Sequence, residues 1–256
     1  MRSKKTYIIL IGILVVFFLV MFLIFGLDNI KKDSYDTTIV TDNAVWTMKK
    51  QRWDNVTDFT NLNWKKYDVY TDNIKKGEYY LWYNSKWYAF DKDKNAILLD
   101  GNLLGIKSNY DISVLSFDIS EIDDYNYINS ILEENDLPTD SEYTSSYKVE
   151  LDYDSDGEEE TFYVISNAFP MDFNPDKIFS IVFMVKNEAI YPIYTNIEDN
   201  MGFNGCKPYI NSFIDVDSDS KYEIILNCGK YSVSSTTSML YEFKNNEFKM
   251  VISNNK

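Results

Sequence analysis

A long uncharged stretch over residues 7–27 is the first pattern along the chain, and Arg2, Lys4 and Lys5 precede it. A helix rises about 1.5 Å per residue, so this stretch is long enough to cross a hydrocarbon core of about 30 Å. The basic residues favour a cytoplasmic N-terminal tail over residues 1–6. The pattern predicts a single-pass transmembrane helix in the cell membrane, followed by a polar linker over residues 28–43 and an extracellular C-terminal part.

A cleaved signal peptide is the alternative for this stretch. Such peptides have a shorter apolar region that ends in small residues, and Ile24, Phe25 and Gly26 match that pattern poorly. A buried core helix would rarely contain so long an uninterrupted apolar run. We therefore interpret residues 7–27 as a retained membrane anchor.

Residues 44–142 form an aromatic-rich α+β region in which helix and strand patterns are mixed. Aromatic residues on both sides of Ser85 predict a β-hairpin with strands over 78–83 and 87–90. Alternation over 112–117 predicts a further strand. A short helix is also predicted after a capping Asp42, and it would contain Val45, Trp46, Met48 and Trp53.

One amphipathic helix is predicted near the end of this region. Ser120 and Asp123 form a capping box, and apolar residues follow at helical spacing. Pro138 ends the pattern, with Asn135 and Asp136 just before it. The predicted apolar face consists of Ile122, Tyr125, Ile128, Ile131 and Leu132.

Residues 143–256 contain the same strand pattern twice. Each copy has a strand, an acidic loop, a second strand, a connector of variable length and a hairpin around a Lys-Asn turn. Four antiparallel strands in each copy are the blade unit of propeller-like proteins. The predicted strands are 147–151, 161–166, 178–185 and 189–194 in the first copy, and 209–214, 223–227, 239–243 and 248–252 in the second.

Each copy carries carboxylates at alternate positions between its first two strands. Alternate side chains of a tight loop turn inward together, and calcium binds about six to eight oxygens, so the spacing predicts a structural Ca²⁺ site in each loop. An acidic surface turn that binds nothing is the alternative. The candidate ligands are Asp152, Asp154, Asp156, Glu160 and the backbone carbonyl of Glu158 in the first loop, and Asp215, Asp217, Asp219, Glu223 and Lys221 at the matching positions of the second.

The two loops resemble the calcium-binding loops of FG-GAP and VCBS repeats, the blade type of integrin α-subunit propellers, over roughly residues 147–256. The resemblance implies an extracellular adhesive or structural role without catalysis at the loop. The second loop has Ser220 where the first has Gly157. At a left-handed position Ser costs about 1 kcal/mol against Gly, so we expect the second site to be weaker.

A closed propeller needs about four blades or more, and the sequence contains two acidic loops. We therefore expect a mainly β fold with one amphipathic helix. Its two propeller-blade-like repeats would form an open sheet or sandwich behind the transmembrane helix.

Composition excludes several classes of function. The net charge of −15 makes nucleic acid a poor partner, because phosphate neutralisation needs clustered Lys and Arg. The chain has no His, so it lacks Ser-His-Asp and Cys-His catalytic arrangements and the usual zinc ligand sets. The abundance of Asn, Lys, Ile and Tyr suggests a low-GC bacterial source.

Cys206 and Cys228 are the two cysteines of the chain, and they flank the second acidic loop. In an exported region they are expected to form a disulfide, with two buried thiols as the alternative. A bridge between them would contribute about 3 kcal/mol of stability by the chain-entropy argument.

These patterns together predict a membrane-anchored extracytoplasmic interaction or scaffold protein with structural calcium loops and no catalysis. Its ligand would be a protein or a glycan. The alternative is a cell-envelope hydrolase or glycan-processing protein, whose site would lie in the Trp-rich N-terminal half. A pocket with two carboxylates beside several Trp would favour that alternative. The Trp residues are Trp46, Trp53, Trp64, Trp82 and Trp87.

Overall fold

Alternating apolar residues and short turns dominate the chain after residue 36, and they fold into antiparallel sheets. The structure is a computed structural model that describes residues 36–137, 139, 143, 145–168, 177–199, 205–230 and 235–254. In these ranges seventeen strands form sheets of eight, four and five strands, and one α-helix accompanies them. The predicted mainly β fold with one helix is confirmed.

The predicted tail over 1–6, the anchor over 7–27 and the linker up to residue 35 lie outside the described residues. Within the described ranges, no helix has the length and apolar character needed to span a bilayer. The membrane anchor therefore stays a prediction.

The N-terminal half forms the eight-stranded sheet. Its strands are β1 (Thr37–Thr41), β2 (Val45–Lys49), β3 (Arg52–Asn55), β4 (Lys65–Thr71), β5 (Ile74–Asn84), β6 (Lys86–Phe90), β7 (Ala96–Ile97) and β8 (Leu103–Ser108). They lie in the order β3-β2-β1-β8-β4-β5-β6-β7, and all neighbouring strands run antiparallel. The hairpin predicted around Ser85 is confirmed as β5 and β6.

Two predictions at the start of this sheet are wrong. The last part of the expected linker is β1, whose five residues are all buried. The helix expected after Asp42 is replaced by β2 and β3, and the Asp42 carboxylate accepts a hydrogen bond from Leu103 N at 2.9 Å instead of capping a helix. Strand β2 is buried on both faces, with Val45 in one core and Trp46 in another. Its sequence therefore lacks the polar–apolar alternation that marks a half-exposed strand.

All eight strands predicted for the two copies are confirmed. The first copy forms the four-stranded sheet from β10 (Ser145–Leu151), β11 (Glu160–Ser166), β12 (Lys177–Lys186) and β13 (Ala189–Asp199). The second copy forms most of the five-stranded sheet from β14 (Cys206–Asp215), β15 (Glu223–Lys230), β16 (Ser235–Lys244) and β17 (Glu247–Ser253). The fifth strand is the short β9 (Ser113–Leu115), which lies within the strand predicted over 112–117 and pairs with β14.

The five-stranded sheet is the middle layer of an open stack. On β15, Ile224 and Leu226 enter a core shared with the four-stranded sheet, where they meet Phe162. The intervening Ile225 enters a core shared with the eight-stranded sheet, where it meets Trp46. Both faces of the middle sheet are therefore buried, and the blade-like sheets stack without closing into a propeller.

Helix α1 (Tyr125–Glu134) covers the outer face of the four-stranded sheet. Its buried Ile128 and Leu132 pack in one core with Ile165 and Phe179. The helix confirms the predicted apolar face in part, but its N-cap is Asp124, whose Oδ1 accepts from Tyr127 N at 3.0 Å.

The predicted capping box at Ser120 is wrong. The Ser120 backbone instead forms a β-bridge with Lys148 of β10, with N–H···O distances of 3.0 and 2.9 Å. This pairing holds Ser120 in extended backbone, so the helix begins later than its sequence pattern suggests.

Residues Thr37–Lys256 group into one compact unit by their contacts. The boundary predicted between 44–142 and 143–256 lies inside this unit. Two elements of the first of these regions contact the second region. Strand β9 pairs with β14, and helix α1 packs on β11 and β12.

Cys206 and Cys228 form a disulfide between β14 and β15. Their Cα atoms are 5.4 Å apart, within the range usual for a bridge. Both residues are buried in the core between the four- and five-stranded sheets. The disulfide therefore links two neighbouring strands of the middle sheet beside that core.

We expect reduction of this disulfide to lower the free energy of unfolding by about 3 kcal/mol, because the bridge constrains the unfolded chain over a separation of 22 residues. Urea denaturation with and without reductant measures the change. A Cys206→Ser/Cys228→Ser variant is the control, since its urea midpoint should not respond to reductant. An unchanged midpoint after complete reduction of the wild type would contradict the prediction.

Candidate metal centre

The two acidic loops have the same backbone design. The first loop (residues 152–160) joins β10 to β11, and the second loop (residues 215–223) joins β14 to β15. The carboxylate of Asp152 accepts from the N–H groups of Asp156 at 3.0 Å and Gly157 at 3.1 Å. Asp215 does the same for Asp219 at 3.2 Å and Ser220 at 3.0 Å. The first Asp of each loop therefore folds the chain into a tight turn.

Both loops use left-handed backbone at matching positions. Ser155 and Ser218 have φ of 59° and 63°, and Gly157 and Ser220 have φ of 91° and 67°. Ser220 is therefore left-handed, which is the condition under which the sequence predicts a cost, so the second loop carries a backbone cost of about 1 kcal/mol that Gly157 avoids in the first.

A buried glutamate closes each loop. Glu160 is 1% exposed and Glu223 is 8% exposed. One carboxylate oxygen of Glu160 accepts from Tyr153 N at 2.8 Å, and the matching oxygen of Glu223 accepts from Val216 N at 3.1 Å. Each glutamate thus pins the start of its loop to the strand that follows, and each places an acidic group inside the protein.

The three aspartates of each loop come together as the sequence predicts. One carboxylate oxygen from each of Asp152, Asp154 and Asp156 lies within 4.8 Å of the others, and the same holds for Asp215, Asp217 and Asp219. Glu158 and Lys221 donate their backbone N–H to Asp156 and Asp219, both at 2.9 Å. The roles of their carbonyls as metal ligands stay predictions.

The first loop already contains a cation from the protein itself. Lys186, the last residue of β12, places its Nζ 2.6 Å from Asp154, 2.7 Å from Asp156 and 2.8 Å from Glu160. Burial would lower the pKa of Lys186, but the bonds to these carboxylates raise it far above the ordinary lysine range. The same contact lowers the pKa of Asp156. The ammonium therefore occupies the position where a metal ion would meet these three carboxylates.

The second loop has a carboxylate where the first has Lys186. Thr161 pairs with Val185 in the four-stranded sheet, and Ile224 pairs with Tyr241 in the five-stranded sheet. Continuing each register by one residue sets Lys186 beside Glu160 and Glu242 beside Glu223. The charge at this position is therefore reversed between the two copies.

Within the described ranges, no ion pair reaches the carboxylates of the second loop. Burial raises the pKa of Asp217, and the charges of Asp219, Asp215 and Glu242 raise it further. Burial likewise raises the pKa of Glu223 to about 8. Oδ1 of Asp217 is buried without a hydrogen-bond partner, as is the matching Oδ1 of Asp154 in the first loop. Among the described residues, the carboxylates of the second loop form a negative cluster that no Lys or Arg neutralises.

The donor set of the second loop fits a hard divalent cation. Calcium prefers several carboxylate oxygens in a flexible loop, and the unpartnered Asp217 oxygen lies within such a group. From the sequence, the first loop is expected to be the stronger calcium site because it has Gly157 where the second has Ser220. Lys186 already pairs with carboxylates of the first loop, which favours the second loop as the stronger calcium site.

Sequence reasoning missed Lys186 because its contact depends on strand register. The two Lys-Asn turns align Lys186 with Lys244, but Lys244 pairs with Glu242 at 3.2 Å and its side chain is 62% exposed. The pairing of β12 with β11 and of β16 with β15 shows instead that Glu242 occupies the position in the second copy that Lys186 occupies in the first.

The loops also connect the three sheets. The Tyr153 hydroxyl donates to the backbone carbonyl of Tyr222, which joins the first loop to the second. The Ser218 hydroxyl donates to the carbonyl of Asp111 at 2.6 Å, and Thr37 Oγ1 donates to the carbonyl of Val216 at 3.5 Å. A change of charge in either loop therefore acts at a junction between sheets.

We expect Lys186→Met to lower the free energy of unfolding by about 3 kcal/mol in the presence of a chelator, because Glu160 loses its cation while staying buried. Lys244→Met is the matched control and should change it by less than about 0.5 kcal/mol, since that pair is exposed. Chemical denaturation of both variants measures the difference. Equal, small effects would contradict the role given to Lys186.

We expect the metal-free protein to lose stability as pH rises from about 5 to 8. The raised pKa of Glu223 means that the folded state keeps a proton in this window that the unfolded chain releases, so the free energy of unfolding falls with pH. Glu223→Gln, whose amide does not titrate, should show a shallower fall. Melting curves at a series of pH values test this, and identical slopes for the two proteins would contradict it.

Comparison of this chain with protein-family models, with curated proteins and with solved structures finds no match. The resemblance of the two loops to FG-GAP and VCBS repeats therefore remains a prediction from the sequence.

Proposed function

We propose that this chain is a non-catalytic interaction or scaffold protein whose strand junctions are held by cations. Lys186 balances the negative charge of the first loop, and a calcium ion balances that of the second. The observation that carries this proposal is the difference between two otherwise equal loops. One contains a lysine ammonium among its carboxylates, and the other has a further carboxylate, Glu242, in the position of that lysine.

The proposed location is the outer side of a cell membrane, with residues 7–27 as the anchor and the N-terminus in the cytoplasm. Calcium sites of extracellular modules have dissociation constants of about 10⁻⁴ to 10⁻³ M, which suits an environment with millimolar calcium. The disulfide between Cys206 and Cys228 supports an oxidising compartment. The role of the ion is structural, since it would balance buried charge where the sheets meet.

Surface aromatic residues support an interaction role. Trp64 is 47% exposed and lies against Phe90 and Trp82, at ring-centroid distances of 5.0 and 6.5 Å. Exposed Trp and Tyr residues are common in binding surfaces, because they offer a large apolar area with few rotatable bonds. The partner class that we propose is a protein or a glycan.

The hydrolase alternative has less support. Trp46 is fully buried in the core between the eight- and five-stranded sheets. In the described part of the chain, a cleft in this half has Asp58 as its one carboxylate, and no Trp lines it. Glycoside hydrolysis generally uses a pair of carboxylates. The cleft therefore fits binding better than cleavage.

Calorimetric titration of the full-length chain in detergent tests the calcium claim. We expect one calcium ion per chain and a higher melting temperature in its presence. Asp217→Asn/Asp219→Asn should abolish binding, because it removes two carboxylates from the second loop. Asp154→Asn/Asp156→Asn in the first loop is the matched control and should keep one ion per chain.

Two charge swaps sharpen this test. Lys186→Gln should raise the stoichiometry to two, since it frees the carboxylates of the first loop. Glu242→Lys should lower it to zero, since it places a lysine beside the second loop in the position that Lys186 has in the first. No calcium binding to the wild type would overturn the proposal, as would binding that survives in Asp217→Asn/Asp219→Asn.

A further inference from the structure

A cleft of about 450 Å³ lies where the eight-stranded sheet meets the end of β17. Its wall includes the start of β2, the segment after β3 and the Asn254 side of the five-stranded sheet. This volume is within the range of about 300 to 1,000 Å³ typical of small-molecule sites. We propose that the cleft binds a short neutral saccharide, which gives the interaction role proposed above a partner class.

Amide side chains on the wall offer fixed hydrogen-bonding groups. Oδ1 of Asn63 accepts from Tyr83 N at 2.8 Å, which leaves its NH₂ group without a partner in the described part of the chain. The NH₂ group of Asn55 donates to the carbonyl of Ser253 at 2.7 Å, which leaves its Oδ1 as an acceptor. One amide thus presents a donor and the other an acceptor. Sugar hydroxyl groups need both.

Aromatic rings form one side of the cleft. Phe59 and Tyr83 both line it, and their rings meet edge to face with centroids 4.6 Å apart. Trp87 packs behind them, 5.1 Å from Tyr83 and 5.6 Å from Phe59. This packing fixes the rings, so their apolar surfaces are preorganised to receive the C–H face of a sugar ring.

The charge of the cleft selects against ionic ligands. Among the described residues that line it there is no Lys or Arg, and Asp58 is the one charged side chain. Thr60 donates to that carboxylate through its hydroxyl at 2.6 Å and its N–H at 3.0 Å, which keeps the carboxylate oriented and ionised. An anionic ligand would meet this charge and the net charge of −15 without a compensating cation. A neutral, hydroxyl-rich molecule suits the wall better.

A single carboxylate supports binding without cleavage. Hydrolysis of a glycosidic bond generally needs one carboxylate as acid and a second as base or nucleophile. Asp58 can accept a hydrogen bond from a sugar hydroxyl, but the described lining of the cleft contains no second Asp or Glu. The site would therefore hold a glycan without altering it.

The test uses the full-length chain in detergent on an array of neutral and anionic oligosaccharides, followed by calorimetry with the neutral oligosaccharide that gives the strongest signal. Binding should weaken about tenfold or more in Tyr83→Ala, which removes ring contact and a hydroxyl. Thr57→Arg adds a bulky charged side chain at an exposed position of the cleft and should also weaken binding without disturbing the core. Tyr110→Ala, which removes an exposed aromatic side chain that does not line the cleft, is the control and should bind as the wild type does.

Each variant is also titrated with calcium, so that failure of the saccharide claim is separated from failure of the calcium claim. Binding of a neutral oligosaccharide that is weakened by both cleft variants supports the inference. A preference for anionic oligosaccharides would overturn it, as would binding that is weakened equally in Tyr110→Ala. The absence of any neutral ligand on the array would overturn it as well, even if the second loop binds calcium as expected.

Discussion

A buried glutamate closes each acidic loop, and the charge of that glutamate governs how the sheets are joined. Glu160 and Glu223 each hold the start of a loop through one backbone N–H. Burying an unpaired carboxylate is costly, so the group must meet a cation or keep its proton. The chain meets this requirement in two ways. The first loop uses Lys186, and the second leaves a cluster suited to calcium.

This charge balance affects more than the loops, because both lie where sheets meet. The second residue of each loop enters a core between two sheets: Tyr153 lies between the four- and five-stranded sheets, and Val216 between the five- and eight-stranded sheets. The Tyr153 hydroxyl also reaches the second loop through the carbonyl of Tyr222. The charge of each loop therefore lies beside the cores that join neighbouring sheets.

The sequence predicted the parts of the fold in which local pattern and tertiary environment agree. The strands of both copies alternate between two cores or end at Gly, Asn and Asp turns, so all eight were found. Strand β2 was missed because Val45 and Trp46 are buried on opposite faces. The start of α1 was misplaced because Ser120 pairs with Lys148 across a long sequence separation. The acidic clusters were predicted from the spacing of their carboxylates. The charged residue beside each cluster, Lys186 or Glu242, depends on the register of the hairpin strands and could not be predicted from that spacing.

X-ray diffraction from crystals grown in millimolar calcium, with anomalous data collected at long wavelength, tests the central claim most directly. The account predicts one calcium peak in the second loop, about 2.3 to 2.6 Å from carboxylate oxygens of Asp215, Asp217 and Asp219. It also predicts that Lys186 stays among Asp154, Asp156 and Glu160. A calcium ion in the first loop with Lys186 displaced, or a second loop without an ion, would contradict it.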